Sequence, residues 1–310
     1  MRWRKSPLVL VVGSLPVLML AGCVQLMEPS RALKQRSTGG SSPFDQSSSL
    51  FHPLDIGNHW EYQNDFTYRI TPIGGSPGDP SVTHSVLDVD LVGTEERFGR
   101  EYVVQREVDD QGYEANFLYR QDKTGLYNVD PVTAQAARVT RAVDPAAFVA
   151  RSLPNASERV LTAYRAAMTR VMEKQSAIRL TALHGRLALP PNVQAGADPL
   201  AGEISVLRYP LAPSKSWHVR EAPLFVKTVE SQERLDLPAG SFSGWRIRID
   251  SELFGPNDRV HVWHGRDGML QLEAHVEGVA TDENGNVLGT VVSEQVQRMS
   301  EVSLVGKAGS

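Results

Sequence analysis

Cysteine is nearly absent from this sequence, because Cys23 is the only one among 310 residues. A lone free thiol is a liability in an oxidising compartment unless it has a task of its own. Basic charge is also scarce, since 32 lysines and arginines face 36 aspartates and glutamates, for a formal net charge of −4. This balance argues against nucleic-acid partners, which favour basic surfaces.

Long apolar runs are missing as well. The apolar stretch of residues 7–20 contains Pro7 and Pro16, and it is shorter than the ~20 residues needed to cross a bilayer. Three basic residues precede it. This combination has the anatomy of a secretory signal rather than of a membrane span.

The apolar stretch ends in Leu20, Ala21, Gly22 and Cys23, which resembles the lipobox of bacterial lipoproteins. The resemblance implies that a peptidase recognises Leu20, Ala21 and Gly22 and that Cys23 is acylated. The alternatives are an ordinary cleaved signal with a stray cysteine and a short core segment. Cleavage before Cys23 would change the formal charge from −4 to −7, because it removes three basic residues and no acidic one.

Acylated Cys23 would anchor the protein to a lipid bilayer and place it in the cell envelope. The resemblance also implies the outer membrane in an organism with two membranes, because Val24 rather than aspartate follows the cysteine. Serine, glycine and glutamine dominate from residue 35 to residue 50. Such a composition offers too little apolar surface to fold, so residues 23–50 are interpreted as a disordered tether.

The first folded region shows the alternation of a β-strand. Trp60, Tyr62, Phe66, Tyr68 and Ile70 all occupy even positions, so they should share one face of a strand. The apolar phase slips between Val86 and Leu87, which predicts a β-bulge there. Turn residues at 74–80 and 109–112 predict connections between strands.

The middle of the chain changes to helical spacing. Asp144 and Pro145 have the character of an N-cap and first helical position, and Ser157 could cap a second helix. An apolar stripe follows at helical spacing and predicts a core-facing amphipathic helix; it comprises Val160, Leu161, Tyr164, Met168, Val171 and Met172. His184 and Gly185 are expected to end this helix.

Strand patterns return after residue 203, and some stretches match the first half. PLDIGNHW at 53–60 matches PLAPSKSW at 210–217 through Pro210, Leu211 and Trp217. Residues 98–112 match 242–258, and 117–127 match 261–271. Three matches in the same order predict two copies of one antiparallel β unit, forming either two domains or two halves of one sheet.

The predicted fold is therefore mainly β, with two related antiparallel units, barrel-like or half-barrel-like, and a helical insert between them. The expected division is a signal peptide at 1–22, a tether at 23–50, a first β unit at 51–141, a helical insert and loop at 142–203, a second β unit at 204–303 and a tail at 304–310.

Candidate sites for chemistry are weak. His261 and His264 lie three apart in a strand, so they point to opposite faces and cannot share a metal ion. GSFSG at 240–244 has Phe242 where a hydrolase nucleophile would stand. DENGN at 282–286 departs from a calcium loop and is better explained as a hairpin turn. We expect no catalytic residue, no metal and no cofactor.

The aromatic residues have two interpretations. Trp60, Trp217, Trp245 and Trp263 supply large amphipathic side chains, which pack the core of a β unit. They could alternatively line a concave surface that holds an apolar or sugar ligand. Packing is the favoured interpretation.

Two motifs resemble the TapB-like and related secreted β-rich bacterial lipoproteins of unknown function. The opening motif of that group is matched by Pro53, Leu54, Gly57, Trp60 and Tyr62. The central P-A-G-x-F motif is matched by Pro238, Ala239, Gly240 and Phe242. The resemblance covers the two β units but not the helical insert. It implies fold and location and supplies no catalytic residues.

These observations favour a membrane-anchored envelope protein that acts as a non-catalytic binding or assembly module with an envelope protein partner. A periplasmic carrier of lipid or another hydrophobic ligand is the first alternative. An envelope hydrolase with an unrecognised site is the second.

Overall fold

The computed structural model describes residues 51–129, 143–184, 203–221 and 223–305. The predicted signal peptide, with Leu20, Ala21 and Gly22, lies outside these residues, as do Cys23 and the tether. No helix within the described part is long and apolar enough to cross a bilayer.

The described residues form a single antiparallel sheet of twelve strands. The strands are β1 (His59–Pro72), β2 (Ser81–Arg97), β3 (Arg100–Asp109), β4 (Glu114–Asp122), β5 (Gly125–Val129), β6 (Ile204–Arg208), β7 (Ser216–Glu221), β8 (Leu224–Leu237), β9 (Gly240–Ser251), β10 (Arg259–Gly265), β11 (Gly268–Thr281) and β12 (Val287–Ser303). Their order is β6-β5-β4-β3-β2-β1-β12-β11-β10-β9-β8-β7. The fold is mainly β, as predicted, and all strands share one nearly closed, barrel-like sheet.

The alternation predicted for β1 is confirmed. Trp60, Tyr62, Tyr68 and Ile70 are buried, and Phe66 packs partly buried against the same core. The bulge predicted at Val86 and Leu87 is wrong, because β1 and β2 pair there without a register shift. In β2 the odd positions face the core, so the valines at even positions lie on the outer face. The irregularity falls instead on the other side of the strand, opposite β3, between Leu91 and Gly93.

Two helices separate β5 from β6, namely α1 (Pro145–Ser152) and α2 (Glu158–His184). Asp144 caps α1, since its side-chain Oδ1 accepts a hydrogen bond of 2.9 Å from the Ala146 amide. Pro145 occupies the first turn, where a missing N–H costs nothing. α2 ends at His184, as the sequence predicted.

α2 lies on the concave side of the sheet. Its core-facing side includes Tyr164, Met168 and Val171, which are buried. A Cβ on Gly278 of β11 would lie only 2.6 Å from Val171 Cγ2 and 2.9 Å from the Ala167 carbonyl oxygen. The missing side chain therefore lets the helix approach the sheet closely. The apolar stripe is core, as predicted, because the helix fills the interior of the curved sheet.

The edges of the sheet are β6 and β7. The Trp217 indole N–H on β7 donates to the Ser205 carbonyl oxygen on β6 at 3.2 Å. Lys227 Nζ on β8 donates to the Val206 carbonyl oxygen at 3.1 Å and to the Ala182 carbonyl oxygen at 2.8 Å. Side chains rather than a strand ladder thus connect the two edges and the end of α2.

The matched stretches of the sequence occupy corresponding strands. β1–β6 form one meander and β7–β12 form another, joined through the β1–β12 pairing. The two Pro-Leu stretches lead into β1 and β7, and the other matches fall on β3 and β9 and on the β4–β5 and β10–β11 hairpins. The positions of these strands are compatible with an internal repeat, which stays a prediction.

Candidate functional site

A small cavity lies between the end of α2 and the inner face of the sheet. It has about 30 Å³ of free space, which is room for one or two water molecules. Apolar walls come from residues such as Leu87, Val89 and Met269, and polar side chains complete the lining.

Glu107 on β3 is the centre of the polar side. It is buried, and its Oε1 accepts a hydrogen bond of 2.9 Å from Gln105 Nε2. His184 Nε2 lies 3.2 Å from the same oxygen, and Arg179 Nη2 lies 3.9 Å from the other. Burial raises the pKa of Glu107, but the nearby His184 and Arg179 charges and the hydrogen bonds outweigh it, so the pKa lies below its usual value. Glu107 is therefore a buried carboxylate held between cationic and amide groups.

The ring of His184, the last residue of α2, is held on three sides. Its Nδ1 lies 2.5 Å from the Tyr119 hydroxyl, and its ring stacks on Phe117 with centroids 3.5 Å apart. The Tyr119 hydroxyl also lies 3.3 Å from the Leu183 carbonyl oxygen, to which it can donate. These contacts satisfy groups at the C-terminus of α2, where helical carbonyls lack partners within the helix. The cluster fixes the end of α2 against β3 and β4.

His52 covers the cavity from the segment that precedes β1. Its ring stacks on Trp60 with centroids 5.5 Å apart, and its Nε2 lies 3.1 Å from Gln105 Oε1. The Gln121 side-chain amide donates to the His52 carbonyl oxygen at 2.9 Å. Burial is the largest cause of a pKa lowered to about 4 for His52, so the ring is neutral at pH 7.

His264 on β10 and Lys227 on β8 are also buried. Burial, followed by the charge of Lys227, holds the pKa of His264 well below its usual value. Burial lowers the pKa of Lys227 to about 7. His264 faces inward, whereas His261 lies on the outer face near Arg246 and Glu230. Because the two histidines occupy opposite faces, they do not form a shared site.

The motif residues proposed from the sequence are divided between core and surface. Trp60 and Tyr62 are buried, and their polar atoms donate to the carbonyl oxygens of Asp267 at 2.6 Å and Met269 at 2.9 Å. Gly57 adopts a positive φ of 95°, which favours glycine. Leu211 and Trp217 are buried, Pro53, Leu54 and Phe242 are half-buried, and Pro210, Pro238 and Gly240 are exposed. Of these motif residues only Tyr62 lines the cavity.

One further sequence expectation is settled by local geometry. Asp282 Oδ1 accepts hydrogen bonds from the Asn284 and Asn286 amides at 2.8 and 2.9 Å, so DENGN is a hairpin turn, as predicted. Within the described ranges, no group of three or more histidine, cysteine, aspartate and glutamate side chains has an arrangement that could hold a metal ion.

Sequence reasoning considered His264 only as a metal ligand and His184 only as a helix end, and it gave His52, Glu107 and Lys227 no role. One signal was available, because Ser293, Gln295 and Gln297 alternate on β12 with the spacing of an inward face. A polar inward face in a central strand indicates a polar interior.

No family model matches the chain, and no curated protein matches it either. Among solved structures, the chain is similar to a protein of Bacteroides fragilis provisionally described as exported, with a YmcC-like fold. The identity is 10%, the TM-score is 0.33, and the match covers 83% of this chain and 100% of that one. A protein of Parabacteroides distasonis provisionally described as a lipoprotein matches with 10% identity and a TM-score of 0.25, over the same shares of the two chains.

A third similar structure is described as showing lipid–protein interactions in lipovitellin. It matches with 8% identity and a TM-score of 0.27, over 83% of this chain and 26% of that one. Likenesses at these scores support no inference about what this chain does.

Proposed function

We propose that this chain is a lipid-anchored protein of the cell envelope that acts as a non-catalytic binding or assembly module. The proposed anchor is acylated Cys23, with Leu20, Ala21 and Gly22 as the peptidase recognition sequence. In an organism with two membranes, Val24 favours the outer one. The tether of residues 23–50 would span about 30 Å as a flexible chain, so the folded part could reach partners beyond the membrane surface.

The position of α2 inside the sheet is the observation that supports a binding or assembly module. A pocket for a drug-sized ligand has a volume of ~300–1,000 Å³, whereas the cavity beside α2 has about 30 Å³. This cavity is too small for a ligand of that size. Partner binding is therefore assigned to the outer surface.

The end of the sheet where β1 begins and β12 ends has the features of such a surface. Ile56, Val92 and Val305 are exposed to 52%, 51% and 57%, and they come from segments that lie side by side. The Gly57 amide donates to the Leu91 carbonyl oxygen, and the Val305 amide donates to Asn58 Oδ1 at 2.7 Å. We call these three residues the tether-end patch. Adjacent exposed apolar residues are a feature of protein interaction sites, so the proposed occupant is an envelope protein.

In-cell crosslinking tests this assignment. A photocrosslinker placed at Asp55, which is exposed and adjoins Ile56, should give a defined protein adduct that is lost in the Ile56→Asp/Val305→Asp variant. Ile73→Asp is the matched control, because Ile73 is 65% exposed and lies at the opposite end of β1, about 45 Å away at ~3.3 Å per residue. An adduct that survives the double substitution, or is lost equally in the control, would contradict the proposed surface.

The anchor requires a separate experiment. Cys23→Ser should move the protein from the membrane fraction to the soluble fraction and abolish labelling by a clickable fatty acid. A Cys23→Ser protein that is exported, labelled and anchored like the wild type would overturn the lipoprotein assignment. Deleting α1 and α2 is not a usable test of partner binding, because it would remove core residues such as Tyr164 and Met168.

A carrier of lipid or another hydrophobic ligand is the second candidate. It is favoured by the apolar inner face beneath α2, where Leu272, Val276 and Val291 are fully buried. Displacement of α2 would expose this face as an apolar trough. Native mass spectrometry of protein extracted without detergent exchange should then detect bound lipid, and a spectrum with the protein mass alone would remove this candidate.

A further inference from the structure

Five buried polar side chains form a strip along the inner face of the sheet, next to the cavity. We call Asn64, Gln295, Gln297, His264 and His52 the interior polar strip. Asn64 on β1 and Gln297 on β12 are direct partners in the sheet register, and Gln295 lies two residues away on the same face. His264 and His52 line the cavity together with Gln297.

The polar atoms of this strip are unsatisfied within the described chain. The side-chain amide nitrogen and oxygen of Asn64, Gln295 and Gln297 lack hydrogen-bond partners there. The two ring nitrogens of His264 and the Nδ1 atom of His52 lack partners as well. Each of the five residues is at most 7% exposed. Leaving four buried polar side chains and one ring nitrogen of His52 without partners would have a cost comparable to the stability of a typical domain. A small molecule held among these side chains would supply the missing partners.

The chemistry of the strip defines this molecule. A carboxamide presents both donors and an acceptor, and a neutral imidazole presents one of each. Burial keeps both His52 and His264 uncharged near pH 7. The matching ligand is therefore neutral and both donates and accepts hydrogen bonds, which describes a hydroxyl group. Three residues of the strip, His52, His264 and Gln297, line the cavity, and its free volume of about 30 Å³ limits the ligand there to one or two small molecules.

We propose that the interior polar strip is a binding site for hydroxyl-bearing molecules, either ordered water or the hydroxyl end of a small alcohol. The site does not depend on the lipid anchor or on the tether-end patch. Its failure would leave the proposed function untouched.

Substitution of Gln297 gives opposite results for an occupied and an empty site. If hydroxyl groups satisfy the strip, Gln297→Leu removes hydrogen bonds and lowers Tm by about 2–6 °C. If the strip is empty, the same change removes an unpaired buried amide and raises Tm. Gln63→Leu is the matched control, because Gln63 is exposed on the same strand as Asn64, and its Tm should stay within about 1 °C of the wild type.

Two measurements on the full mature chain complete the test and separate the sources. Rotating-frame NOE spectra should show cross-peaks from the Gln297 side-chain amide to long-lived water, and native mass spectrometry should then show the protein mass alone. An added mass together with absent water cross-peaks would identify a small organic hydroxyl compound instead. A raised Tm for Gln297→Leu, or neither water cross-peaks nor added mass, would overturn the proposal.

Discussion

Lys227 should make the stability of this protein depend on pH in the mildly alkaline range. Its ammonium group is buried and donates to two backbone carbonyl oxygens, those of Ala182 and Val206. None of the described carboxylates pairs with it. Burial lowers its pKa from 10.5 to about 7. Because the folded state holds this proton less tightly than the unfolded state, stability is lowest below pH 7 and rises as the pH approaches 10.5.

The magnitude follows from the shift. A difference of roughly 3.5 pKa units, at ~1.4 kcal/mol each, corresponds to about 5 kcal/mol across the window, as an order of magnitude. The slope should approach ~1.4 kcal/mol per pH unit between pH 8 and pH 10. The neutral amine keeps N–H groups for both carbonyl oxygens, so deprotonation does not break these two hydrogen bonds.

The assay is urea unfolding of the wild type and Lys227→Met at pH 7, 8, 9 and 10. Buried tyrosines titrate in both proteins, so the difference in unfolding free energy between them isolates Lys227. Lys123→Met is the control, because Lys123 is exposed and its removal should leave the slope unchanged. Parallel curves for the wild type and Lys227→Met would refute the reasoning.

Three further predictions concern packing and charge. Gly278→Ala should destabilise the fold by about 1–3 kcal/mol, because the new Cβ would lie 2.6 Å from Val171 Cγ2. Thermal unfolding measures this change. Gly93→Ala is the control and should be nearly neutral, because no atom lies within 4 Å of the added Cβ. Glu107→Gln should reduce the loss of unfolding free energy at acid pH. A carboxyl with a lowered pKa stabilises the fold above its unfolded pKa of ~4.5 and loses this effect as the pH falls. Equal losses of unfolding free energy in the wild type and the variant from pH 6 to pH 3 would contradict this prediction. Trp60→Ala should cost about 3–5 kcal/mol, since Trp60 is fully buried and its N–H donates to the Asp267 carbonyl oxygen; a urea midpoint close to that of the wild type would show that the packing is not as described.

Local signals were sufficient for most individual elements. The alternation around Trp60 and Tyr62 predicted β1, and the Asp144–Pro145 pair predicted the start of α1, because each pattern lies within a few residues of the structure it specifies. The bulge predicted at Val86 and Leu87 failed for an instructive reason. Val86 lies on the outer face, so an apolar residue there does not mark a change of phase.

Local sequence signals could not predict which polar residues, such as His52, Gln105 and Lys227, are buried inside the sheet. His52 and Gln105 are 53 residues apart, and Lys227 meets the end of α2 across 45 residues. Single histidines and lysines carry no periodicity, so nothing in their neighbourhood distinguishes a buried one from an exposed one. The inward Ser293, Gln295 and Gln297 on β12 were a local signal that could have indicated a polar interior.

The stretch FHPLDIGNHWEY at 51–62 shows both sides of this division. The sequence by itself determined that Trp60 and Tyr62 begin a buried strand face, because a period of two is a property of the extended backbone. Only the tertiary structure decided that His52 closes a cavity over Gln105, and that all twelve strands form one sheet around α2. Those outcomes depend on long-range strand pairing and on the room left by residues such as Gly278, and the energies involved arise only when distant segments meet.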